Sequence, residues 1–120
     1  EIEKDIIFAG HVDPEEIYKY YYASDIFVLP THDDPWGLVV NEAMACGLPV
    51  IVTDAAGCSL DLVKNNGYII KSRNVPELAI AIEKIIKNRA KFGNNSRERI
   101  LGWTYKESLN SFLEIINLFL

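Results

Sequence analysis

The sequence is poor in the residue types that bind metal ions or nucleic acid. Among its 120 residues are two cysteines, Cys46 and Cys58, and neither lies in a Cys/His spacing typical of a metal site. We interpret both as reduced, partly buried thiols, since no neighbouring residue supports a redox or nucleophilic role. The chain has 12 basic and 17 acidic residues and a net charge of −5. Because no cluster of Lys and Arg follows one face, nucleic acid is not expected as a partner.

Long apolar runs and targeting segments are also missing. No stretch is long enough to span a bilayer, and no secretory signal pattern is present. Reduced thiols are typical of a cytoplasmic protein, which is the expected location. Hydrophobic residues make up 49% of the chain and charged residues 24%, so one compact domain with its own core is expected. The sequence begins at Glu1 without a methionine, and we expect it to be a piece of a longer protein.

Short apolar runs alternate with helical patterns along the chain. The runs lie at residues 6–9, 25–30, 49–52 and 68–70. The helical patterns lie at residues 13–22, 37–46 and 59–64, from residue 74, and from residue 89 onward with a break near 102. Continuous apolar runs are typical of strands buried on both faces of a parallel sheet. The alternation therefore predicts an α/β fold, a Rossmann-like three-layer domain with a mostly parallel sheet and C-terminal helices.

Residues that begin or end helices support these boundaries. Asp13 with Glu16, and Asn74 with Glu77, have the spacing of a capping box. Gly47 is a C-terminal stop for the helix before it. In parallel sheets, ligands bind at the carboxyl ends of the strands. The loops expected there are residues 11–12, 31–36, 53–59 and 71–74.

Two acidic residues, Asp34 and Glu42, flank the predicted helix start at Gly37. Free backbone N–H groups at a helix start, together with the helix dipole, favour an anion such as phosphate, and Gly37 lets a ligand approach the backbone closely. Glu42 lies on the same helix face as Leu38, where its carboxylate can accept hydrogen bonds from the two hydroxyls of a ribose. Asp34 precedes the helix and can hold hydroxyls of a second group beyond the phosphates.

A purely structural explanation fits these two residues unequally. Acidic residues are common near helix N-termini because the dipole favours them, which accounts well for Asp34. Glu42 is flanked by Val39, Val40 and other small or apolar residues, and a carboxylate in such surroundings needs a partner or water. The spacing alone leaves both a functional and a structural interpretation open.

The segment PWGLVVNEAMACGLPVI at residues 35–51 resembles the donor-site signature of retaining glycosyltransferases with two Rossmann-like domains, the glycosyltransferase group 1 family. That signature is an acidic residue, seven positions and a Glu, leading into Ala-Met-Ala-x-Gly-x-Pro-Val. Residues 8–12, 21–30 and 56–63 are similar to the flanking strands, helices and small-residue loop of the family. The resemblance covers most of the chain and is strong from residue 8 to about residue 70.

The resemblance implies a donor-binding domain, one part of an enzyme that transfers a sugar from a nucleotide-diphosphate sugar to an acceptor with retention of configuration. It implies that Glu42 binds the ribose hydroxyls and that Asp34, the catalytic candidate, contacts the donor sugar. The backbone at Trp36, Gly37 and Leu38 would face the sugar and the diphosphate.

Further expectations about partners follow from the same resemblance. His11 and Val12 would lie near the nucleobase. No metal or other cofactor is expected, because protein cations and helix dipoles neutralise the diphosphate in such enzymes. The acceptor would be a glycan, a lipid or a small molecule, and peripheral association with a membrane is left open. The N-terminal acceptor domain, and the basic pair that usually grips the diphosphate, have no counterpart in residues 1–120, so the fragment alone should be inactive.

One departure from the signature supports a different function. Asp34 stands where the family usually has Glu, and the shorter side chain draws its carboxylate back by about a bond length, a scale at which oriented catalysis suffers. A catalytically inactive nucleotide-sugar-binding or scaffold module is therefore the alternative. A flavodoxin-like regulatory domain is disfavoured, because no strand end carries the acidic cluster beside a phosphorylatable Asp that it would need.

Several other residues have two interpretations each. Trp36 is either a wall of the site or an anchor of its loop. A His32–Asp33 acid–base pair is disfavoured, because nothing else converges there in sequence. The four tyrosines of residues 18–22 are interpreted as core packing rather than as a platform for a sugar. The last helix has more apolar residues than a single stripe needs, so self-association of the fragment is expected there.

Overall fold

A computed structural model describes residues 2–120 of the chain. The elements are a 3₁₀ turn at Glu3–Asp5, α1 Ile17–Ala23, β1 Phe27–Leu29, α2 Leu38–Ala45, β2 Val50–Thr53, α3 Ser59–Leu62, β3 Gly67–Ile70, α4 Val75–Ile86, α5 Arg89–Ile100 and α6 Tyr105–Phe119. Strands and helices alternate up to α4, as the apolar runs predict.

The three strands form one parallel sheet in the order β1-β2-β3. The central strand β2 is buried throughout, which explains its unbroken apolar sequence. Phe27 lies opposite Val50, and Val50 lies opposite Gly67 on the other side. A Cβ at Gly67 would lie 1.7 Å from the carbonyl oxygen of Val50, so only glycine lets β3 approach β2 this closely.

Helices cover both faces of the sheet. On one face, Val52 of β2 shares a buried cluster with Met44 of α2 and Leu62 of α3. On the other face, Ile51 shares a cluster with Ile85 of α4. The predicted α/β fold with Rossmann-like layers and C-terminal helices is confirmed.

The first predicted strand is wrong. Residues 6–9 form no strand, and Ile7 and Phe8 are 90% and 92% exposed. A strand requires hydrogen bonds to a neighbouring strand, and within residues 2–120 the sheet places none beside this segment. The loop at residues 11–12 that was expected at a sheet edge therefore does not follow a strand.

The two capping boxes have different outcomes. The Glu77 N–H donates to Asn74 Oδ1 at 3.1 Å at the start of α4, as predicted. Asp13 caps nothing with its side chain: α1 begins only at Ile17, and the Asp13 carbonyl accepts the N–H of Ile17 at 3.2 Å. A backbone turn at residues 14–16 thus replaces the expected first helical turn. The stop at Gly47 is confirmed, with a φ of 80°.

Candidate functional site

The N-terminus of α2 is formed by Gly37. This residue has the left-handed conformation φ 88°, ψ 60°, which glycine adopts without strain. No side chain of residues 2–120 caps α2, and its first turn contains no acidic residue. The amides of Leu38 and Val39, which an α-helix leaves without intrahelical acceptors, are therefore not capped by a side chain at this end. Such a helix start suits an anionic group.

Asp34 is held where the loop after β1 meets the loop after β2. Its N–H donates to the carbonyl of Ala55 at 3.3 Å, and its carbonyl accepts the N–H of Gly57 at 2.9 Å. Its carboxylate Oδ1 accepts the N–H of Trp36 at 3.0 Å. One oxygen of the predicted catalytic carboxylate is therefore already bound by its own loop, just before the start of α2.

Glu42 is the fifth residue of α2 and is exposed. Its Oε2 accepts a hydrogen bond from the Tyr21 hydroxyl at 2.8 Å. No Lys, Arg or His forms an ion pair with it in the part of the chain that the structure describes. Glu42 lines an open cleft of about 540 Å³, whose walls are Trp36, Leu38, Asn41, Glu42, Trp103, Thr104, Tyr105 and Ser108. The acid thus faces a cleft rather than an internal ion pair.

Trp36 is both a wall of this cleft and an anchor of its loop. Its Nε1–H donates to Asn41 Oδ1 at 3.0 Å, and its ring lies 5.5 Å from the ring of Trp103. Sequence reasoning missed Trp103. Its position directly after the helix break at Gly102 is the signal that could have found it.

The predicted site residues are brought together only in part. Trp36, Leu38 and Glu42 line the same cleft, and Gly37 starts the helix between them. Asp34, His11 and Val12 are not among the residues that line this cleft. The His11 side chain is exposed, with its Nε2 3.8 Å from Asp13 Oδ1.

The disfavoured His32–Asp33 pair does not form. His32 Nδ1 instead lies 2.9 Å from Ser72 Oγ, in the loop after β3. In the same loop, Lys71 Nζ pairs with Asp54 Oδ2 at 2.9 Å, and the Ser72 N–H donates to Asp54 Oδ1 at 3.0 Å. These bonds join the loops at the carboxyl ends of the three strands. The hydrogen bonds from Lys71 and Ser72 lower the pKa of the Asp54 carboxyl.

Of the four tyrosines of α1, only Tyr21 is buried, whereas Tyr18, Tyr20 and Tyr22 are exposed. Burial, followed by the hydrogen bond to Glu42 and the Glu42 charge, raises the pKa of the Tyr21 hydroxyl. The hydroxyl therefore stays protonated and remains a donor.

Both cysteines are free, with Cys46 half-buried and Cys58 buried. Burial raises the pKa of both thiols. Within residues 2–120, no group of three or more His, Cys, Asp or Glu residues is arranged to hold a metal ion, and the expectation about metals stays a prediction. In the same range, no helix has both the length and the apolar character to cross a membrane.

Comparisons with known proteins agree on one family. Residues 1–99 match the family model described as glycosyl transferases group 1. A capsular polysaccharide biosynthesis glycosyltransferase, CapM of Staphylococcus aureus, is 33% identical over 124 residues, which cover 92% of this chain and 32% of CapM. An uncharacterized glycosyltransferase of Methanocaldococcus jannaschii is 27% identical over 104 residues, covering 82% of this chain and 26% of that protein.

Solved structures show the same relationship. A sucrose-phosphate synthase from Thermosynechococcus elongatus superposes with a TM-score of 0.84 at 30% identity, covering 98% of this chain and 31% of that one. A mutant of S. aureus TarM, in complex with fondaparinux, α-GlcNAc-glycerol and UDP, superposes with a TM-score of 0.81 at 26% identity, covering 97% of this chain and 24% of TarM. The chain thus spans about a quarter to a third of the length of these proteins.

Proposed function

The chain belongs to the group 1 glycosyltransferases, and on that premise we propose that it is the donor-binding part of a retaining enzyme of hexosyltransferase type. The full-length protein would transfer a sugar from a nucleotide-diphosphate sugar to an acceptor, with retained anomeric configuration. We propose that it acts in the cytoplasm, with peripheral membrane association if its acceptor is a lipid.

The observation that carries this proposal is the relation of Glu42 to the start of α2. Leu38 and Glu42 line the same cleft, four residues or about 6 Å apart along the helix axis. This separation suits a nucleoside diphosphate, whose phosphates are joined directly to its ribose. The amides at Gly37 and Leu38 would bind the diphosphate, and the Glu42 carboxylate would accept hydrogen bonds from the ribose hydroxyls.

The other site residues take their proposed roles around this contact. Asp34 would contact the sugar, which is the part of the donor that is transferred. Negative charge develops on the diphosphate as it leaves, and the N-terminus of α2 would stabilise that charge. Trp36 would form a wall beside the sugar. His11 and Val12 remain the proposed neighbours of the nucleobase, although they do not line the cleft in this structure.

The acceptor is proposed only as a class. CapM is named for capsular polysaccharide biosynthesis, and the TarM complex contains α-GlcNAc-glycerol, so a glycan, lipid or small-molecule hydroxyl is the proposed acceptor. An N-terminal domain of the same protein would bind the acceptor, and residues 1–120 alone would not catalyse sugar transfer.

The experiment is a calorimetric titration of the full-length protein with UDP-, GDP- and ADP-linked sugars, comparing wild type with Glu42→Gln. Loss of the negative charge weakens hydrogen bonds that are worth about 1.5–3 kcal/mol when a partner is charged, so affinity for the preferred donor should fall about tenfold or more. Glu83→Gln, an exposed change on α4, is the matched control. Equal donor affinities of wild type and Glu42→Gln would contradict the proposed role of Glu42 in binding the ribose.

The alternative, a module that binds the donor without turnover, is favoured by one observation. Asp34 Oδ1 already accepts a hydrogen bond from the Trp36 N–H, which leaves fewer acceptor positions on this short carboxylate for the hydroxyls of a sugar. Asp34→Glu in the full-length protein discriminates the two functions. A large gain in transfer from a near-silent wild type would support the inactive module, and an active wild type would support the enzyme.

A further inference from the structure

We infer that Tyr21 is a positioning residue of the donor site: its hydroxyl holds one carboxylate oxygen of Glu42, so that the other oxygen is presented to the ribose. The inference rests on the proposed function. It concerns a residue outside the signature segment, on a different helix and 21 positions before Glu42.

The position of the Tyr21 hydroxyl is set by its ring. Tyr21 lies in the last turns of α1 and is 7% exposed. Its ring meets the ring of Phe27 edge-on, at 5.8 Å and 71°, and belongs to the same buried cluster as Met44 and Val40 of α2. A ring as buried as this has little freedom, so the hydroxyl is a fixed point beside α2.

Within residues 2–120, no second side-chain hydrogen bond holds the Glu42 carboxylate. Glu42 is exposed, its side chain has several rotamers, and no cation within the described residues pairs with it. The bond of 2.8 Å between Tyr21 Oη and Glu42 Oε2 is charge-assisted and therefore stronger than a neutral one. With Oε2 held, Oε1 and the remaining lone pairs are free for ligand hydroxyls. The carboxylate is thus ordered before the ligand arrives, which lowers the entropic cost of binding.

The direction of the hydrogen bond supports this role. Burial and the Glu42 carboxylate both raise the pKa of the Tyr21 hydroxyl, so the hydroxyl donates throughout the physiological range. Glu42 then acts only as an acceptor, which matches the hydroxyl donors of a ribose.

The test is Tyr21→Phe in the full-length protein, since phenylalanine keeps the packed ring and removes only the donor. Calorimetric titration with UDP, GDP and ADP identifies the preferred nucleoside diphosphate, and titration with its 2′-deoxy counterpart follows. We expect Tyr21→Phe to weaken binding of the ribonucleotide roughly three- to tenfold, and to weaken binding of the 2′-deoxynucleotide less. Tyr20→Phe, on the same helix but half exposed, is the matched control and should bind like wild type.

A Glu42→Gln background separates this inference from the proposed function. If Tyr21 acts through Glu42, Tyr21→Phe should have a much smaller effect in Glu42→Gln than in wild type. Weakened binding by Glu42→Gln together with unchanged binding by Tyr21→Phe would overturn the inference and leave the proposed function standing. Unchanged binding by Glu42→Gln, or a wild type that binds none of the three nucleotides, would overturn the proposed function itself. An equal loss for ribo- and deoxynucleotide in Tyr21→Phe would show a general structural role and would also overturn the inference.

Discussion

Trp36 and Trp103 lie with their ring centroids 5.5 Å apart and their planes tilted by 40°. This contact joins the loop before α2 to the segment that leads into α6, and both rings line the cleft that contains Glu42. Residues 103–108 thereby form one wall of this cleft, and residues 36–42 of the signature segment form the other.

Trp103→Ala should loosen α6 from the rest of the domain. An aromatic pair adds about 0.5–1.5 kcal/mol beyond the area that it buries, and α6 has no buried residue of its own. We expect faster amide hydrogen exchange across Tyr105–Phe119 and a small drop in the unfolding midpoint. Tyr105→Ala, which truncates an almost fully exposed ring, should leave exchange near the wild-type rate. Equal exchange in wild type and Trp103→Ala would show that the ring contact does not hold α6.

Gly37→Ala should destabilise the domain at the start of α2. The φ of 88° is costly for an L-residue, by about 1–2 kcal/mol, and the added Cβ would lie 3.0 Å from Leu29 Cδ2. We expect the free energy of unfolding in urea to fall by at least about 1 kcal/mol. Gly102→Ala is the control, because its nearest new neighbour is 3.7 Å away and its φ is not in the left-handed region. Equal stabilities of the two variants would contradict this account.

The bonds made by Asp54 should make stability fall in acid. Hydrogen bonds from Lys71 and Ser72 lower the pKa of Asp54. The folded state therefore binds its proton less readily than the unfolded chain, whose Asp pKa is about 3.9. The stabilisation is present above that value and is lost as the pH falls through the folded pKa. Because the group is exposed, the effect should be small.

This pH dependence can be measured from thermal midpoints between pH 7 and pH 2.5. Asp54→Asn should lower the midpoint at pH 7 and flatten its decline at low pH. Asp33→Asn, whose carboxylate makes no hydrogen bond within residues 2–120, should keep the wild-type slope. A wild-type slope in Asp54→Asn would show that the Lys71 pair contributes nothing.

The apolar face of α6 should cause self-association of the 120-residue chain. Leu109, Phe112, Leu113 and Ile116 follow a helical spacing and are all exposed, and a contiguous apolar patch of this kind promotes association. Sedimentation equilibrium at high concentration should detect dimers or larger species, and Phe112→Lys should reduce them. Asn110→Lys, a change of a polar residue on the same helix, controls for the added charge. A strictly monomeric wild type would refute this expectation.

The sequence predicted best what depends on near neighbours in the chain. The helix expected at residues 37–46 is observed as Leu38–Ala45, because Gly37 and Gly47 mark its two ends with their own backbone conformations. The cap of α4 by Asn74 was also predictable, since its partner is three residues away. The seven residues between Asp34 and Glu42 are a local pattern of the same kind, and this pattern indicated the family.

The failure at residues 6–9 involves a contact between distant parts of the chain. Residues 6–9 have the composition of a buried strand, but a strand exists only beside another strand, and the sheet has none there within the described residues. The failure at Asp13 is local: its side chain is of a type that caps helices, but its carbonyl accepts the N–H of Ile17 instead, and α1 begins there. The residue types of a segment indicate which secondary structure it favours, but not which partners its backbone and side chains will contact.

By itself, then, the sequence determined the parallel α/β alternation, the helix between two glycines and the membership of a glycosyltransferase family. Only the tertiary structure decided that Tyr21, alone among the tyrosines of α1, is buried against Phe27 and reaches Glu42, and that Trp103 returns to Trp36. The physical reason is that these partners depend on how α1 packs against α2 and on where the segment between α5 and α6 lies, and neither leaves a periodic pattern in the sequence.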